Sequence, residues 1–424
     1  MRAAFYECDI TPPLGCYLSG QGANLYAADV QDRLYAKAIV VEDEGRYAAI
    51  VCVDTISISK EDRRIVTDRI FEYTGIPREC VCLTSDHTHW GAPVREDAKD
   101  PTYYDVFCRL TADAVILAYK RLEDASATFG VGKVDDISFN RNHVLTSGRV
   151  MTWGQRRDDL AGYFGPIDPD VGVMTFYCDG KPIGAIVNFA CHQATLPSAP
   201  DFAAYTGDFS SILSKELKKV YGEDFVSLFL LGACGDVNHI DPYRKTKYDG
   251  EHYRKMGERL AKEALKTMDE AKPVEGALAV RAEQISLPTR QLDEETFKTA
   301  MMEYANGYES ALRLGGLLDY YRNPKPPVME FLLQTIRIGT VCIYTVPGEI
   351  YAKFALDIKA KDKHQGCMVV EQCNGRAGYV PTPDCWAPNC DVYEASYSGC
   401  SFLAPEAGDM MVERLLEMAK TLEG

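Results

Sequence analysis

Two histidines that lie two residues apart, His87 and His89, are the first feature of the sequence that could carry chemistry. On an extended backbone this spacing places both side chains on one face. Two adjacent imidazoles suit a divalent metal ion, usually zinc. Because the motif is short, the spacing alone favours a metal pair and a pair of hydrogen-bonded loop histidines equally.

Two further side chains could complete a metal site, although each also has a structural interpretation. His192 follows a predicted buried strand, where a lone histidine is more often structural. Glu349, in a Pro-Gly-Glu turn, could be a favourable partner of a helix dipole. Asp236 follows a Gly-Ala-Cys-Gly loop that lets the backbone approach a neighbour closely. Together, two or three histidines, a glutamate and an open position predict a hydrolytic zinc site.

The elements that must position these residues alternate between strands and helices. Apolar runs predict buried strands, and each run ends in polar residues or in residue types that bind metals. The predicted strands span residues 47–53, 80–83, 186–190, 225–231, 340–346 and 367–370. Ligands of open α/β sheets gather at the carboxyl ends of strands. We therefore predict an α/β fold, with mixed β-sheets, surrounding helices and an active site at the strand carboxyl ends.

Local signals define several elements between these strands. Ser59 and Asp62 form a predicted capping box for a helix that runs through Arg69. An Asp-Gly pair at residues 179–180 predicts a hairpin between residues 171–177 and 182–189. Because no break in composition divides the chain, we predict a single domain over residues 1–424.

Composition excludes several classes of partner. The chain has 424 residues, 46% of them hydrophobic, and a net charge of −16, which argues against nucleic acid or an anionic membrane as the main partner. The odd count of 15 cysteines is a poor disulfide framework. With neither a signal peptide nor an apolar span of roughly 18 residues, the sequence predicts a cytoplasmic protein with no stable membrane association. Assembly into a homo-oligomer stays open.

Eight segments, in chain order, resemble the catalytic domain of neutral (non-lysosomal) ceramidases. They include an Asp-Ile-Thr-Pro-Pro opening, a Thr-His-Trp-Gly-Ala-Pro segment and a Pro-Gly-Glu turn. They lie at residues 9–15, 33–38, 84–93, 139–142, 188–192 with 207–208, 235–238, 347–349, and 373–382 with 393–394. Members of that family are longer and carry a C-terminal immunoglobulin-like domain. The resemblance therefore covers their N-terminal catalytic domain.

The resemblance implies hydrolysis of an N-acyl amide by a water bound to one zinc ion per chain. The implied zinc ligands are His87, His192, Glu349 and Tyr379. His89 would act beside the metal as a proton shuttle or donor, and Arg141 would face the developing oxyanion or a substrate carboxylate. Asp236, in the loop similar to the family's Gly-Asp-Val-Ser-Pro-Asn segment, is the third predicted catalytic residue.

This chain departs from the family in that loop. Asn238 stands where the family has serine and His239 stands where it has proline, and we predict that both contact the substrate. These replacements, together with the acidic net charge and the predicted cytoplasmic location, favour a small soluble acyl amide or ester over a sphingolipid. The alternatives are an esterase or lactonase on the same zinc site, a true ceramidase, and a non-catalytic binding relative that retains the fold.

Overall fold

A computed structural model of the chain describes residues 1–21, 25–94, 100–152, 158–243, 248–305 and 310–422. The helices in these ranges are α1 (Lys60–Thr74), α2 (Pro101–Tyr119), α3 (Asp208–Tyr221), α4 (His252–Glu270), α5 (Glu294–Ala305), α6 (Ser310–Arg322), α7 (Ala352–Lys361) and α8 (Ala407–Lys420). Short 3-10 helices cover Arg78–Cys80, Pro200–Phe202, Pro383–Trp386 and Tyr393–Ala395.

The strands of the described ranges are β1 (Arg2–Asp9), β2 (Asp29–Val30), β3 (Tyr35–Asp43), β4 (Arg46–Val53), β5 (Val81–Ser85), β6 (Glu123–Asp124), β7 (Ser126–Lys133), β8 (Phe139–Asn140), β9 (Asn142–Leu145), β10 (Val150–Thr152), β11 (Leu160–Tyr163), β12 (Asp170–Cys178), β13 (Lys181–Phe189), β14 (Ala204–Tyr205), β15 (Val226–Leu231), β16 (Val237–Asn238), β17 (Lys272–Pro273), β18 (Leu278–Pro288), β19 (Val328–Ile338), β20 (Val341–Thr345), β21 (Glu349–Ile350), β22 (Gly366–Val370), β23 (Tyr379–Val380) and β24 (Cys390–Asp391).

Three mixed sheets form the frame of the protein. Their strand orders are β5-β4-β3-β1-β6 in sheet 1, β15-β13-β12-β7-β17 in sheet 2 and β18-β19-β20-β22 in sheet 3. Each contains one parallel pair at an edge, β4 with β5, β13 with β15 and β20 with β22, while its other pairs are antiparallel. The structure thus confirms the predicted α/β class with mixed sheets.

The inner faces of the three sheets share one apolar core, and helices cover their outer faces. Ile39 of sheet 1, Met174 of sheet 2 and Ile343 of sheet 3 belong to this shared core. Successive strand residues point to opposite faces, so the neighbouring Ala38 and Val40 pack instead in the core beneath α1 and α2. Helices α3 and α4 cover sheet 2, and α7 and α8 cover sheet 3.

The predicted local signals are present. The Ser59 hydroxyl accepts a hydrogen bond from the Asp62 amide at 3.1 Å, and the Asp62 carboxylate accepts one from the Ser59 amide at 2.6 Å. Helix α1 continues past Arg69 to Thr74, where Gly75 ends it with a φ of 74°. At the hairpin between β12 and β13, Asp179 and Gly180 have φ values of 49° and 75°, as a type I′ turn requires.

None of the described helices has the length and apolar content needed to cross a bilayer. The prediction of a single domain over residues 1–424 stays a prediction.

Candidate metal centre

The carboxyl ends of the three parallel strand pairs meet, and the predicted metal-binding residues lie there. After β5, the amide of His87 bonds the Thr55 carbonyl at 3.1 Å, in the loop that follows β4. His87 itself has a φ of 67°, a conformation that costs free energy in a residue other than glycine. Strain of this kind concentrates at functional sites, and here it belongs to the loop that carries both predicted histidines.

Three histidines are oriented in the same way, by a hydrogen bond from Nδ1 to a backbone carbonyl. The Nδ1 contacts are His87 to Ile56 O at 2.6 Å, His89 to Gly20 O at 2.8 Å and His192 to Cys234 O at 2.7 Å. Because a carbonyl only accepts, each Nδ1 carries the proton and each Nε2 presents a lone pair. All three Nε2 atoms are buried without a hydrogen-bond partner, and one ring nitrogen from each histidine lies within 4.8 Å of the others.

Glu349 brings a carboxylate to the same point. It lies on β21, directly opposite Tyr379 of the parallel strand β23. Its Oε2 atom is 3.5 Å from His87 Nε2 and 3.4 Å from His192 Nε2, and it has no hydrogen-bond partner. Two ligands of a tetrahedral zinc ion, each bound at about 2.1 Å, are themselves about 3.4 Å apart.

This set of atoms fits a bound cation. Buried polar atoms are costly unless they find a partner, and here lone pairs of three imidazoles meet a carboxylate oxygen. A divalent ion would satisfy them together. His87, His89 and His192 could therefore hold a metal ion, with Glu349 beside them.

The charge states of these groups also suit a metal. Burial lowers the pKa of His87 to about 4 and that of His89 to about 3, and it lowers the pKa of His192. Burial alone would raise the pKa of Glu349, but His87, His192 and Arg141 outweigh it and lower that pKa. At neutral pH the imidazoles are uncharged and the carboxylate is ionised, which are the forms that bind metals.

Tyr379 and Arg141 lie next to this group. The Tyr379 ring stacks on the His192 ring with 6.5 Å between centroids, and the Arg141 guanidinium lies 5.2 Å from the Tyr379 centroid and bonds its side chain. Arg141 also donates to Glu394 Oε1 at 2.5 Å and to the Gly235 carbonyl at 2.7 Å. The guanidinium is therefore shared between a buried ion pair and the predicted tyrosine ligand.

Asp236 has a supporting position. Its carboxylate accepts from Asn140 Nδ2 at 2.6 Å and from the amide of Ala352, the first residue of α7, at 2.8 Å. Its carbonyl accepts from the Arg141 amide at 2.8 Å. These contacts connect Asp236 to the segment of Arg141 and to α7. It is not among the residues that line the cavity at the histidines.

The two residues that replace the family's serine and proline are both buried. Asn238 accepts the Ile240 amide at 2.9 Å through Oδ1. The ring of His239 lies 5.4 Å from the rings of Tyr248 and His252. Burial, with smaller effects of His252, His192 and His89, lowers the pKa of His239 to about 3. His239 is thus close enough to His192 and His89 for these histidines to affect its pKa.

Several residues that the sequence did not single out complete the site. A cavity of about 150 Å³ opens at the three histidines and Glu349, and the predicted residues His87, His89, Glu349 and Tyr379 line it. Its other lining residues are Gly20, Ile56, Ser57, Arg376, Tyr393 and Cys400. Behind it, Glu371 Oε2 accepts the amides of Cys234 at 3.2 Å and Ile350 at 3.0 Å. Glu371 directly follows β22, so the rule that polar residues follow strand ends could have found it.

Comparisons with known proteins identify solved structures that share this fold. No protein-family model and no curated protein matches the chain. The structure is similar to the crystal structure of neutral ceramidase from Pseudomonas aeruginosa, with a TM-score of 0.76 and 20% identity over 99% of this chain and 74% of that one. It is also similar to a ceramidase complexed with C2, with a TM-score of 0.76 and 19% identity over 99% and 75%. The chain has the fold of a neutral-ceramidase-like catalytic domain, as the resemblance predicted.

Proposed function

We propose that the chain is a zinc-dependent hydrolase that cleaves an N-acyl amide bond with an activated water. The observation that carries this proposal is the convergence of buried lone pairs from His87, His192 and Glu349 at tetrahedral spacing. Imidazole and carboxylate ligands suit zinc, and a site with an open position is the catalytic form. The shared fold with neutral ceramidases supports amide hydrolysis.

We assign His87, His192, Glu349 and Tyr379 as the ligands of one zinc ion per chain. Tyr379 is included because it faces Glu349 across a parallel strand pair and stacks on His192. Bound zinc would lower the pKa of a water molecule and polarise the substrate carbonyl. Arg141, whose guanidinium lies 5.2 Å from the Tyr379 ring centroid, adds positive charge where the oxyanion develops.

We assign His89 to proton transfer. In the reaction, water oxygen bonds to the carbonyl carbon, the carbon–nitrogen bond breaks and the amine nitrogen gains a proton. His89 Nε2 is buried beside the ligand nitrogens without a hydrogen-bond partner, and its other nitrogen is held by Gly20. An imidazole fixed in this way can accept a proton from water and deliver it to the amine.

The substrate that we propose is a small soluble acyl amide. The cavity of about 150 Å³ is well below the roughly 300–1,000 Å³ of sites that enclose drug-sized ligands. Asn238 and His239 are assigned to substrate contacts. Cleavage of an ester or lactone is the second candidate, since the same activated water would attack either carbonyl. We also propose a cytoplasmic location, which the fifteen free thiols of the structure support.

Metal analysis and a substrate panel test this proposal. Protein purified without chelators should hold about one zinc per chain. The panel contains short N-acyl amides, N-acyl amino acids, lactones and a ceramide analogue, each with and without zinc. Zinc-dependent cleavage of the small amides is expected. Preferred cleavage of lactones or of ceramide would select one of the alternatives. A protein that takes up no zinc even when it is added would overturn the proposal.

A further inference from the structure

The loop between β22 and β23 carries Arg376, whose guanidinium lies at the cavity. The backbone of this loop is anchored by several hydrogen bonds. Gln372 and Asn374 have φ values of 58° and 60°, a left-handed conformation that needs support from its surroundings. Asn374 supplies that support, since its Oδ1 accepts the Leu83 amide at 3.1 Å and its Nδ2 donates to Gln334 at 2.6 Å. The backbone that carries Arg376 is therefore anchored on sheets 1 and 3.

The same loop packs against the turn that precedes Glu349. The Ala377 amide donates to the Pro347 carbonyl at 2.6 Å, and the Gln372 amide donates to the Gly348 carbonyl at 3.3 Å. A side chain at position 348 would meet the Gly378 carbonyl at 2.5 Å, so the two segments approach as closely as backbones can. Arg376 is thus held at a constant position relative to Glu349.

Arg376 lines the same cavity as the candidate metal group. Its Nη2 atom donates to Cys400 Sγ at 2.8 Å, and its side chain is half-buried. Among the described residues that line this cavity, the ionised side chains are Arg376 and Glu349. Glu349 faces His87 and His192, where a bound divalent ion would balance the charges of Glu349 and of a Tyr379 phenolate and leave the charge of Arg376. The loaded cavity is then positive, with a guanidinium at its wall.

We propose that Arg376 binds a carboxylate of the substrate, so that the preferred substrates are short N-acyl amino acids or similar amides with a carboxylate near the scissile bond. The inference rests on the proposed hydrolytic function and names its substrate class. A guanidinium has planar paired donors that match a carboxylate, and such charged hydrogen bonds are strong in a partly buried cavity. The small cavity selects a short acyl group, and the charge selects an anion.

Hydrolysis of matched substrates tests the inference. N-acetylglycine and the neutral N-acetylglycinamide are compared on zinc-loaded protein, together with their butyryl and hexanoyl analogues. Wild-type kcat/KM should favour the anionic member of each pair. Arg376→Gln should reduce that preference about 10- to 100-fold, as expected for loss of a hydrogen bond between charged groups. Arg376→Lys, which keeps the charge without the paired donors, should give an intermediate preference.

Arg109→Gln is the matched control, because it removes the same charge from an exposed pair with Asp105 on α2. It should leave the preference at the wild-type value. Zinc content and melting temperature are measured for every variant. If Arg376→Gln does not fold, the intermediate preference expected of Arg376→Lys decides instead. An unchanged preference in the folded variant overturns the inference.

Two outcomes separate this inference from the proposed function. If neutral amides are cleaved as well as anionic ones, the proposed hydrolytic function is supported and the carboxylate site at Arg376 is overturned. If no amide is cleaved, the proposed function is overturned, and calorimetry of N-acetylglycine against N-acetylglycinamide on zinc-loaded protein decides the carboxylate site. Preferential binding of the anion that Arg376→Gln weakens at least about tenfold supports the site. Equal or undetectable binding of the two compounds overturns it.

Discussion

At the residue scale, backbone carbonyls decide what the three histidines can do. The carbonyls of Gly20, Ile56 and Cys234 each accept a hydrogen bond from a histidine Nδ1–H group, so the opposite nitrogen of every ring is left to bind an ion or accept a proton. Orientation of this kind raises ligand basicity and holds the ring against rotation. The same residue types on flexible loops would bind a metal far more weakly.

Replacement of His192 by alanine should remove a ligand and therefore the metal. Changes behind a ligand already reduce metal affinity 10- to 100-fold, so loss of the ligand should reduce zinc affinity at least about 100-fold and abolish hydrolysis. Zinc content and affinity are measured by elemental analysis and competition with a chelator. His364→Ala is the control, since His364 pairs with Asp362 at 2.7 Å and lies outside the site. Wild-type zinc affinity in His192→Ala would contradict the ligand assignment.

The number of protons released when zinc binds should show whether Tyr379 is a ligand. His87 and His192, which we assign as ligands, are already neutral and Glu349 is already ionised at neutral pH, whereas burial raises the pKa of Tyr379 well above its usual value. Coordination as a phenolate must therefore release one proton, and zinc affinity should rise as pH increases above neutrality. Calorimetry in buffers of different ionisation enthalpy counts the released protons. Tyr379→Phe should release one fewer; an equal count would exclude the phenolate.

At the element scale, the arrangement of the three histidines and Glu349 depends on loops that approach each other closely. A Cβ atom at position 20 would lie 2.3 Å from His89 Cα, so the first loop reaches His89 only because residue 20 is glycine. Gln21 reinforces the contact by donating to the His89 carbonyl at 3.0 Å. The position of His89 is thus determined by a segment that follows β1, another strand of sheet 1.

Gly20→Ala should displace that loop and release His89. Because the contact at 2.3 Å is with backbone, no side-chain rotation relieves it. We expect turnover to fall about 10- to 100-fold while zinc is retained, since His89 is assigned to proton transfer. Kinetics and zinc content are measured together. Gly162→Ala is the control, because nothing lies within 4 Å of a Cβ there. Unchanged turnover in Gly20→Ala would argue against a role for His89.

The buried ion pair of Arg141 and Glu394 joins β8 and β9 to the 3-10 helix Tyr393–Ala395. Its side chains are 4% and 0% exposed. Glu394→Ala should lower the free energy of unfolding by about 3–5 kcal/mol, because a buried guanidinium loses its counter-charge. Asp105→Ala, which breaks an exposed pair with Arg109, should cost less than about 1 kcal/mol. Urea unfolding measures both, and equal losses would contradict the argument.

At the scale of the whole molecule, a bound ion would cross-link three sheets. His87 follows sheet 1, His192 follows sheet 2 and Glu349 follows sheet 3, and the sheets already share one apolar core. Zinc at a hundredfold excess over its dissociation constant should therefore stabilise the folded protein by about 2.7 kcal/mol.

Thermal unfolding with and without chelator measures this gain. Mg²⁺ should not reproduce it, because Mg²⁺ prefers oxygen ligands. The gain should disappear in His192→Ala. Stabilisation that is equal with both metals, or that survives in His192→Ala, would locate the bound ion elsewhere.

Sequence alone determined the features that depend on local pattern. Apolar runs, the Ser59–Asp62 capping box and the Asp-Gly turn predicted elements that the structure contains, because each signal acts over a few residues. The rule that polar residues follow strand ends predicts that His87, His192 and Glu349 belong to one site. Their assignment as zinc ligands stays a prediction.

Only the tertiary structure decided which residues at the carboxyl ends of the strands come into contact. Strand order and parallel pairing join segments distant in the chain, and no local periodicity encodes them. Tyr379 lies opposite Glu349 through such a pairing, and Asp236 contacts α7 instead of the cavity. Arg376 reaches the cavity because a left-handed loop is anchored on two sheets. Chemistry-bearing residue types are thus readable from sequence, whereas their meeting depends on long-range packing.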